Sequence, residues 1–461
     1  GAAAAAAAAA PLPLTLGFDD GGPLASPSTS VSDPWLSRAT NDGAQIVRVT
    51  LPWSAVTPAV RPSGFRPADP ASPGYSWSSV DSRVRSLSSR GVQVLLMVLG
   101  APSWAEGRGR PRGAPPGAWR PDPKQLGLFA HAAALRYSGR YPDPQTPGKA
   151  LPRVRYWEAW NEPNLPSFLS PQWTRSGRRY VASSPILYRR MLNAFYPAVK
   201  QVAPSNVVVA GGTAPFGDAI PGSSRMTPVL FWQQLMCLGG AALHAFACDP
   251  AHFDVLDHHP FDVGGPLQPA LDPGDVSVPD MGKLTRLLDA AVRDRSILPR
   301  GPKAVWTTEL GWASRPPEPL GVPLARQAHW LEQALYVLWH EGVSTVLWLE
   351  ISDQTSTASP TSLEVGLYFR DGAPKPAVVA YRFPFLTTRE GGAAGKRILA
   401  WGRAPATGEL RIEVRSGGRW SVLRSVSVSR SQVFSVQVPL PGRATLRAQL
   451  GTLTSLTWDQ S

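Results

Sequence analysis

The stretch Tyr156-Trp157-Glu158-Ala159-Trp160-Asn161-Glu162-Pro163-Asn164 joins a short apolar, aromatic run to a polar cluster that contains proline. A buried β-strand that enters a loop before a helix has this pattern. A second stretch of the same kind is Val305-Trp306-Thr307-Thr308-Glu309-Leu310-Gly311-Trp312. The repeated unit predicts a parallel α/β fold.

Short apolar runs rich in Val, Leu and Trp recur along the chain. Eight can be counted: Leu14–Asp19, Ile46–Trp53, Val92–Gly100, Val154–Asn161, Val207–Gly211, Phe253–His258, Ala304–Glu309 and Thr345–Glu350. Helix-period segments lie between them: Ile186–Val202, Met281–Arg295 and Leu324–His340. The alternation predicts a (β/α)8 TIM barrel. A doubly wound open sheet is the alternative, but no GxGxxG follows the first run and eight units suit a closed barrel.

The residue pattern of the sequence changes from about Thr387. Apolar and polar residues then alternate between Gly, Pro and Ser turns, in Arg411–Val414, Trp420–Val428, Val433–Val438 and Ala444–Ala448. We therefore predict an Ala-rich terminus over 1–10, a barrel domain over 11–386 and a small antiparallel β-sandwich over 387–461. The sandwich either binds glycan or caps the barrel, and we expect it to make no catalytic contribution.

The composition is that of a folded globular protein. Of the 461 residues 43% are hydrophobic and 17% charged, which allows a large buried core. A net charge of +13 raises the question of a polyanionic partner. The Arg residues are scattered, and no Lys/Arg run is interleaved with aromatics, so we expect no nucleic-acid binding. The composition gives no indication of oligomeric state.

The two cysteines, Cys237 and Cys248, have neither CxxC spacing nor a companion histidine set. They form either a disulfide or two unpaired buried thiols. The Gly1-plus-alanine start has no basic region typical of a signal peptide and resembles a processed terminus. No apolar stretch of membrane-spanning length follows, so no membrane span is expected. Secretion or cell-envelope association is an expectation that rests on the cysteine pair and on the function.

Glu162 and Glu309 close the fourth and seventh predicted strands. In a TIM barrel such ends meet at the mouth that carries the active site. Glycoside hydrolysis needs one carboxylic acid to protonate the leaving oxygen and, in retaining enzymes, a carboxylate about 5–5.5 Å away to attack the anomeric carbon. Trp157, Trp160 and Trp312 are expected to raise the pKa of the acid by desolvation.

The sequences WNEPN and TELGW at these two ends resemble clan A glycoside hydrolases, and the wider pattern resembles their xylosidase/iduronidase-like family thirty-nine. The supporting stretches are Val47–Trp53, Tyr75–Trp77, Gly100–Trp104, His259-Pro260, Gly366–Tyr368 and Pro374–Ala377. The similarity covers roughly residues 40–385. It implies retention of configuration, Glu162 as acid/base, Glu309 as nucleophile, Asn161 against the sugar 2-hydroxyl and no cofactor.

One position departs from the clan pattern. The motif His-Pro-Tyr is common there after the sixth strand, whereas this chain has His259-Pro260-Phe261. The usual tyrosine hydroxyl beside the nucleophile is therefore missing from the motif. A hydroxyl from another loop, His258 or His259 could replace it.

Arg48 and Glu158 lie within predicted strands, where charges are costly unless paired, so we expect an ion pair beneath the site. This pair either orients Glu309 or is only structural. His258 and His259 are expected to point to opposite sides, with His259 in the cleft and a packed histidine as the alternative for each. No metal site is expected, because no carboxylate or third histidine follows at ligand spacing.

Aromatic and acidic residues at strand ends are further candidates for sugar contacts. Four tryptophans at strand ends either stack on sugar rings or belong to the core: Trp53, Trp104, Trp312 and Trp348. Trp348 is the preferred candidate for stacking. Glu350, two residues further on, is expected on the same side of the strand as Trp348. Asp19 and Asp20 either bind hydroxyls or end the first strand.

Three loops, 105–124, 165–184 and 261–279, are expected to shape the cleft, and their arginines suit an anionic or phosphorylated glycan. A retaining hydrolase acting on a poly- or oligosaccharide is the leading hypothesis. The alternatives are an inverting enzyme, a transglycosylase and a non-catalytic glycan-binding protein.

Overall fold

A computed structural model describes residues 11–19, 21–354, 364–390, 396–440 and 442–460. The predicted Ala-rich terminus and Asp20 therefore lie outside the described residues. Eight parallel strands close into a barrel in sequence order, with β1 beside both β2 and β8. Their bounds are β1 Thr15–Asp19, β2 Ile46–Pro52, β3 Gln93–Leu99, β4 Tyr156–Ala159, β5 Val207–Thr213, β6 Val255–His258, β7 Ala304–Thr307 and β8 Val343–Leu349. The predicted TIM barrel is confirmed.

Helices cover the outside of the barrel. They are α1 Thr29–Asn41, α2 Trp53–Val56, α3 Ser78–Ser89, α4 Pro123–Arg136, α5 Ser184–Val202, α6 Pro228–Leu235, α7 Gly282–Arg293, α8 Leu324–His340 and α9 Ala377–Arg382. A large apolar cluster fills the space between these helices and the strands. Among the described residues, no helix is both long and apolar enough to cross a membrane.

A second, smaller apolar cluster fills the lower interior of the barrel. It consists of Ile46, Leu95, Val209, Val255, Trp306 and Leu347, one from each of six strands. Side chains two residues further along a strand share its inward face, because successive side chains alternate. This step brings Arg48, Glu158 and Asp257 into the barrel above the apolar layer. The interior therefore changes from apolar to ionic towards the end of the strands that carries the site.

Two antiparallel sheets follow the barrel and share an apolar cluster. Their main strands are β9 Phe385–Glu390, β10 Arg397–Arg403, β11 Gly408–Ser416, β12 Arg419–Val428, β13 Val433–Pro439, β14 Ala444–Leu450 and β15 Trp458–Gln460. The buried Arg403 donates from Nε to the Leu14 carbonyl at 3.0 Å and from Nη2 to Gln45 Oε1 at 2.7 Å. These bonds fix the sheets to the start of β1 and away from the site. The predicted sandwich is confirmed.

Cys237 and Cys248 form a disulfide in the segment after α6. This resolves the choice between a disulfide and two free thiols in favour of the disulfide.

Candidate active site

Arg48 is the centre of the ionic layer above the barrel's apolar core. Its Nε and Nη2 donate to the two oxygens of Glu158 at 2.7 and 2.8 Å. Its Nη1 donates to Glu309 Oε1 at 2.7 Å and to Asp19 Oδ2 at 2.9 Å, and Nη2 also reaches Asn161 Oδ1 at 2.7 Å. The expected Arg48–Glu158 pair is thus present, and the same guanidinium also fixes Glu309.

Glu162 and Glu309 meet at the mouth of the barrel, and His259 lies between them. Its Nδ1 is 3.1 Å from Glu162 Oε1 and 3.6 Å from Glu309 Oε1. The nearest ligand atoms of the three residues all lie within 4.8 Å of one another. The carboxylates are partly accessible, with 14% and 16% of their side chains exposed. The fold therefore brings the two predicted glutamates together at an accessible position.

The ionisable groups around Arg48 and His259 include more acids than bases. Some of these groups therefore bind a proton more strongly than they would in water. Burial raises the pKa of Asp19 to about 7, although Arg48 opposes this shift. Burial, together with the charge of Glu158, raises the pKa of Asp257 to about 7. Burial lowers the pKa of His259, but Glu309, Glu162 and Asp257 outweigh this effect and raise it to about 9. His259 is thus an imidazolium at neutral pH.

A chain of hydrogen bonds supports His259 from behind. Its Nε2 is 3.0 Å from Thr308 Oγ1, and Thr308 Oγ1 donates to Asp257 Oδ2 at 2.5 Å. Asp257 Oδ1 also accepts from the backbone amides of His258 and Thr308. Asp257 and Thr308 were not among the site residues predicted from the sequence. Strand alternation would have found Asp257, which has the same parity as Val255 and His259.

The backbone around Glu162 has an unusual conformation. Trp160 and Glu162 have φ of +78° and +36°, a region that side chains other than glycine seldom adopt. The Glu162 amide donates to the Gly212 carbonyl at 2.9 Å, which fixes this turn to β5. A Cβ on Gly212 would lie 2.2 Å from His259 Nε2, so only glycine fits beside the ring. Such outliers cluster at functional sites.

A cavity of about 500 Å³ opens beside Glu309 and Asn161. The amide of Asn161 accepts from Arg48 through Oδ1, and among the described residues nothing accepts from its Nδ2. Asp19 and Glu350 also line the cavity. Glu350 accepts from the amides of Gly21 and Gly22 at 3.1 and 3.2 Å. Its φ of +63° departs from strand geometry, so Glu350 enters the cavity although Trp348 does not.

His258 is fully buried, and its ring lies outside the cavity. Thr213 Oγ1 is 2.8 Å from its Nδ1, and its Nε2 donates to the Val276 carbonyl at 2.9 Å. Its two ring nitrogens are thus engaged by the protein. This geometry fits the packed alternative for His258, and it removes His258 from the candidates that could replace the tyrosine hydroxyl or contact substrate.

The four tryptophans offered as sugar platforms pack within the protein, and none lines the cavity. Trp53 stacks on Phe129 at 5.6 Å, and Trp348 donates to the Val365 carbonyl and packs beside Trp312. Trp104 donates to the Pro58 carbonyl. Successive side chains of a strand point to opposite faces. Because Leu347 points into the barrel, its neighbour Trp348 points out towards the helices. The core alternative therefore fits all four.

Gly21 and Ala25, which follow β1, line the cavity together with Thr50 and Pro52 of β2. No described residue of the three predicted loops lines it. No arginine of 105–124, 165–184 or 261–279 lines this cavity, but Glu162 does not line it either, so contact between these arginines and a ligand stays a prediction. The arginine that does line the cavity beside Arg48 is Arg83 on α3, which the sequence analysis missed.

Phe261 stands where the clan motif has tyrosine, so it offers Glu309 no hydroxyl. Two cationic side chains contact Glu309 instead. Among the described residues, the polar partners of Glu309 are Arg48 at 2.7 Å and His259 at 3.6 Å. Of the replacements considered for the missing hydroxyl, His259 is the one that lies near Glu309.

Two groups could in principle hold a metal ion: Glu158, Asp257 and His259, and Glu162, His259 and Glu309. The expectation from spacing along the chain did not anticipate groups that folding brings together. Both groups include His259, and each includes a carboxylate that already accepts a hydrogen bond from Arg48: Glu158 in the first and Glu309 in the second.

Comparison with solved structures gives the class of fold. A family 39 glycoside hydrolase from Bacteroides cellulosilyticus WH2 matches with a TM-score of 0.55 and 18% identity, over 93% of this chain and 81% of that one. A glucosidase from Croceicoccus marinus matches with a TM-score of 0.51 and 14% identity, over 94% of both chains. No family model matches the sequence, and no curated protein does.

A family 39 β-xylosidase from Caulobacter crescentus is also similar, with a TM-score of 0.50, 14% identity and coverage of 94% of this chain and 95% of that one. The resemblance expected from the WNEPN and TELGW motifs is confirmed at the level of fold. The chain has the barrel-plus-sheet architecture of the family 39 glycoside hydrolases.

Proposed function

We propose that this protein is a retaining glycoside hydrolase, with Glu162 as general acid/base and Glu309 as nucleophile. The observation that carries the proposal is the approach of their carboxylate oxygens to within 4.8 Å at the barrel mouth. An inverting enzyme needs about 6.5–9.5 Å between the carboxyl groups to admit a water between base and sugar. An upper limit of 4.8 Å between one oxygen of each carboxylate fits the separation of about 5–5.5 Å in retaining enzymes, in which the second carboxylate attacks the sugar directly.

The hydrogen bonds of Glu309 suit a nucleophile, because one carboxylate oxygen is fixed and the other is left to react. Arg48 fixes Oε1 at 2.7 Å and stabilises its negative charge, while Oε2 makes no hydrogen bond within the described part of the chain. In the first step Oε2 bonds to the anomeric carbon as the bond to the leaving oxygen breaks. Glu162 gives its proton to that oxygen, which leaves as an alcohol.

Glu162 then acts in the opposite sense. As a carboxylate it removes a proton from water, whose oxygen attacks the anomeric carbon and releases Glu309. His259, a proton donor 3.1 Å from Glu162 Oε1, stabilises the carboxylate form between the two steps. The proposed role of Asn161 is to donate from Nδ2 to the sugar hydroxyl next to the anomeric carbon, while its Oδ1 accepts from Arg48.

The proposed substrate is a carbohydrate glycoside, as expected for an enzyme of polysaccharide degradation. The disulfide supports export to an oxidising compartment, where such bonds persist. The names of the similar structures, a glucosidase and a β-xylosidase, suggest aryl glucosides and xylosides as the first members of a broad substrate panel.

The decisive experiment combines a variant with product stereochemistry. On any substrate found, Glu309→Ala should lower kcat by several orders of magnitude while circular dichroism shows an intact fold. Glu409→Ala, which removes an exposed carboxylate of the C-terminal sheets, is the matched control. NMR of the first product should show the anomeric configuration of the substrate. Inversion, or full turnover by Glu309→Ala, would refute the proposal.

A fluorosugar that matches the substrate provides a second test. It should label Glu309 covalently in the parent, because the slowed second step lets the glycosyl-enzyme accumulate. Peptide mass spectrometry identifies the labelled residue. Labelling elsewhere would contradict the assignment of the nucleophile.

A further inference from the structure

Arg83 lies in the wall of the proposed active site and has no acidic partner among the described residues. It projects from α3 and lines both the cavity beside Glu309 and a second, adjoining cavity of about 580 Å³. Its one hydrogen bond within the described residues is a long one, from Nη1 to the Thr50 carbonyl at 3.5 Å. Its Nε is buried and has no partner there. Its Nη2 group makes no hydrogen bond within the described residues and is not among the buried atoms, so it is available to a ligand.

The local topology explains how a helix residue reaches the mouth of the barrel. β1 pairs with β2 over three positions and ends at Asp19, opposite Arg48. β2 continues to Pro52, so its last residues have no neighbouring strand on that side. The chain after β1 moves away through Gly21 and Ala25, and Arg83 lies at the opening between the two elements.

Neighbouring arginines with a structural role each form a close ion pair with an aspartate. Arg85, on the same helix, pairs with Asp143 at 2.6 Å, and Arg136 pairs with Asp81 at 2.5 Å. Burial lowers the pKa of Arg83, and only Tyr137 opposes the shift. A half-buried guanidinium without a counter-ion is costly, and a ligand oxyanion would offset that cost.

The charges in the two cavities place such a ligand group. Asp19 and Glu309 in the first cavity are acidic and already bonded to Arg48, so an anion is repelled there. In the second cavity Asp353 is neutralised by Lys375 at 2.6 Å, and Arg370 by Glu364 at 2.8 Å. Among the described residues that line the second cavity, Arg83 is therefore the charged group that no opposite charge neutralises.

We propose that Arg83 binds a negatively charged substituent of the glycan, and that the second cavity holds this acidic part while the reacting sugar lies beside Glu309. The inference rests on the proposed glycosidase function and adds the substrate class: a glycan with a carboxylate, sulfate ester or phosphate ester. These groups share the planar or tetrahedral oxyanion that a guanidinium binds through two parallel hydrogen bonds.

The test measures binding separately from catalysis. Glu309→Gln, in which turnover is blocked, is titrated calorimetrically with polyuronic acid oligosaccharides and with the same oligosaccharides after methyl esterification. A second arm compares sulfated oligosaccharides with their desulfated forms, and a third compares phosphorylated sugars with dephosphorylated ones. The acidic form of one pair should bind at least 10-fold more tightly at low salt, and Arg83→Gln should abolish that difference.

Arg90→Gln is the matched control, because it removes one positive charge at the end of the same helix, where Arg90 lies beside Asp33 and not at the cavity. It should preserve the preference for the acidic form. Arg83→Lys should keep part of it, because one ammonium replaces a two-pronged donor. Equal affinity for the acidic and neutral forms, or equal losses in Arg83→Gln and Arg90→Gln, would overturn the proposal.

The two proposals fail in distinguishable ways. Activity retained by Glu309→Ala would remove the glycosidase mechanism whatever Arg83 does. Activity that depends on Glu309, together with an unchanged acidic-to-neutral ratio in Arg83→Gln, would leave the glycosidase intact and remove only the anionic substrate.

Discussion

Arg48 Nη1 donates to Glu309 Oε1 at 2.7 Å from a guanidinium that is itself clamped by both oxygens of Glu158. The bidentate contact sets the plane of the guanidinium, and this plane sets the position of Nη1. Glu158 therefore acts on Glu309 through Arg48. The pair is both a structural ion pair and a support for the proposed nucleophile, which the sequence analysis treated as alternatives.

Arg48→Lys should separate the two roles. A single ammonium keeps the positive charge, but it cannot bond Glu158 in two places and reach Glu309 as well. We expect kcat to fall at least 100-fold while the protein remains folded. Arg48→Ala should in addition destabilise the fold by about 3–5 kcal/mol, because Glu158 would be buried without a partner. Denaturant unfolding and steady-state kinetics measure these effects. Wild-type turnover in Arg48→Lys would contradict this role.

The chain from Asp257 through Thr308 to His259 should control the basic limb of the pH profile. The charge of Asp257 helps to raise the pKa of His259 to about 9. Asp257→Asn removes that charge, and Thr308→Val removes the hydroxyl between the two. In both variants the pKa of His259 falls, so the basic limb of kcat, which covers the second step in which His259 supports the Glu162 carboxylate, should move to lower pH.

Thr308→Ser keeps the hydroxyl and is the control for this series, with a profile expected to match the parent. A purely structural role for Thr308 would lower activity equally at all pH values. That uniform loss would argue against the protonated His259 as a participant in the reaction.

Asn161 should contribute only when the sugar carries the hydroxyl that it contacts. Asn161→Ala removes the free Nδ2 donor as well as the acceptor of Arg48. We expect kcat/KM to fall about 10²-fold or more, because hydrogen bonds to the 2-hydroxyl strengthen in the transition state. With the 2-deoxy analogue of the same glycoside, the loss should become much smaller. Equal losses on both substrates would indicate that Asn161 acts only through Arg48.

The fold could be predicted from the sequence because each barrel strand is a mostly apolar run that leads into a polar or Pro/Gly-containing loop. The glutamate pair followed from the same pattern, since strand ends meet at one mouth. The structure extends β8 back to Val343 and shortens β4 to four residues, Tyr156–Ala159. Such differences at the ends of elements are small and do not move the site.

The groups around the pair were harder to predict, because they depend on which way each side chain points. The alternation that sends Val255 inward also sends Asp257 and His259 inward and leaves His258 outside. The same rule sends Trp348 towards the helices. Glu350 is an exception, because its left-handed backbone conformation interrupts the alternation and turns its side chain into the cavity. Arg83 could not be found by strand parity, because it reaches the cavity from a helix through an opening between two strands.

His258 should make the fold sensitive to mild acid. Its burial lowers the pKa to about 3, although the Val276 carbonyl opposes the shift, and the ordinary value is 6.5. Between these values the unfolded chain takes up a proton that the folded chain does not. The contribution of neutral His258 to stability is therefore complete above pH 6.5 and is lost as the pH falls. Linkage gives a loss of about 2 kcal/mol between pH 7 and pH 5.

His258→Gln should be less stable than the parent at pH 7, because the contacts of the ring with Thr213 and Val276 are lost. It should, however, lose about 2 kcal/mol less of its free energy of unfolding between pH 7 and pH 5. His340→Gln, at an exposed site at the end of α8, is the control and should follow the parent. Urea unfolding at the two pH values measures the difference. A parallel loss in parent and His258→Gln would mean that another group controls acid stability.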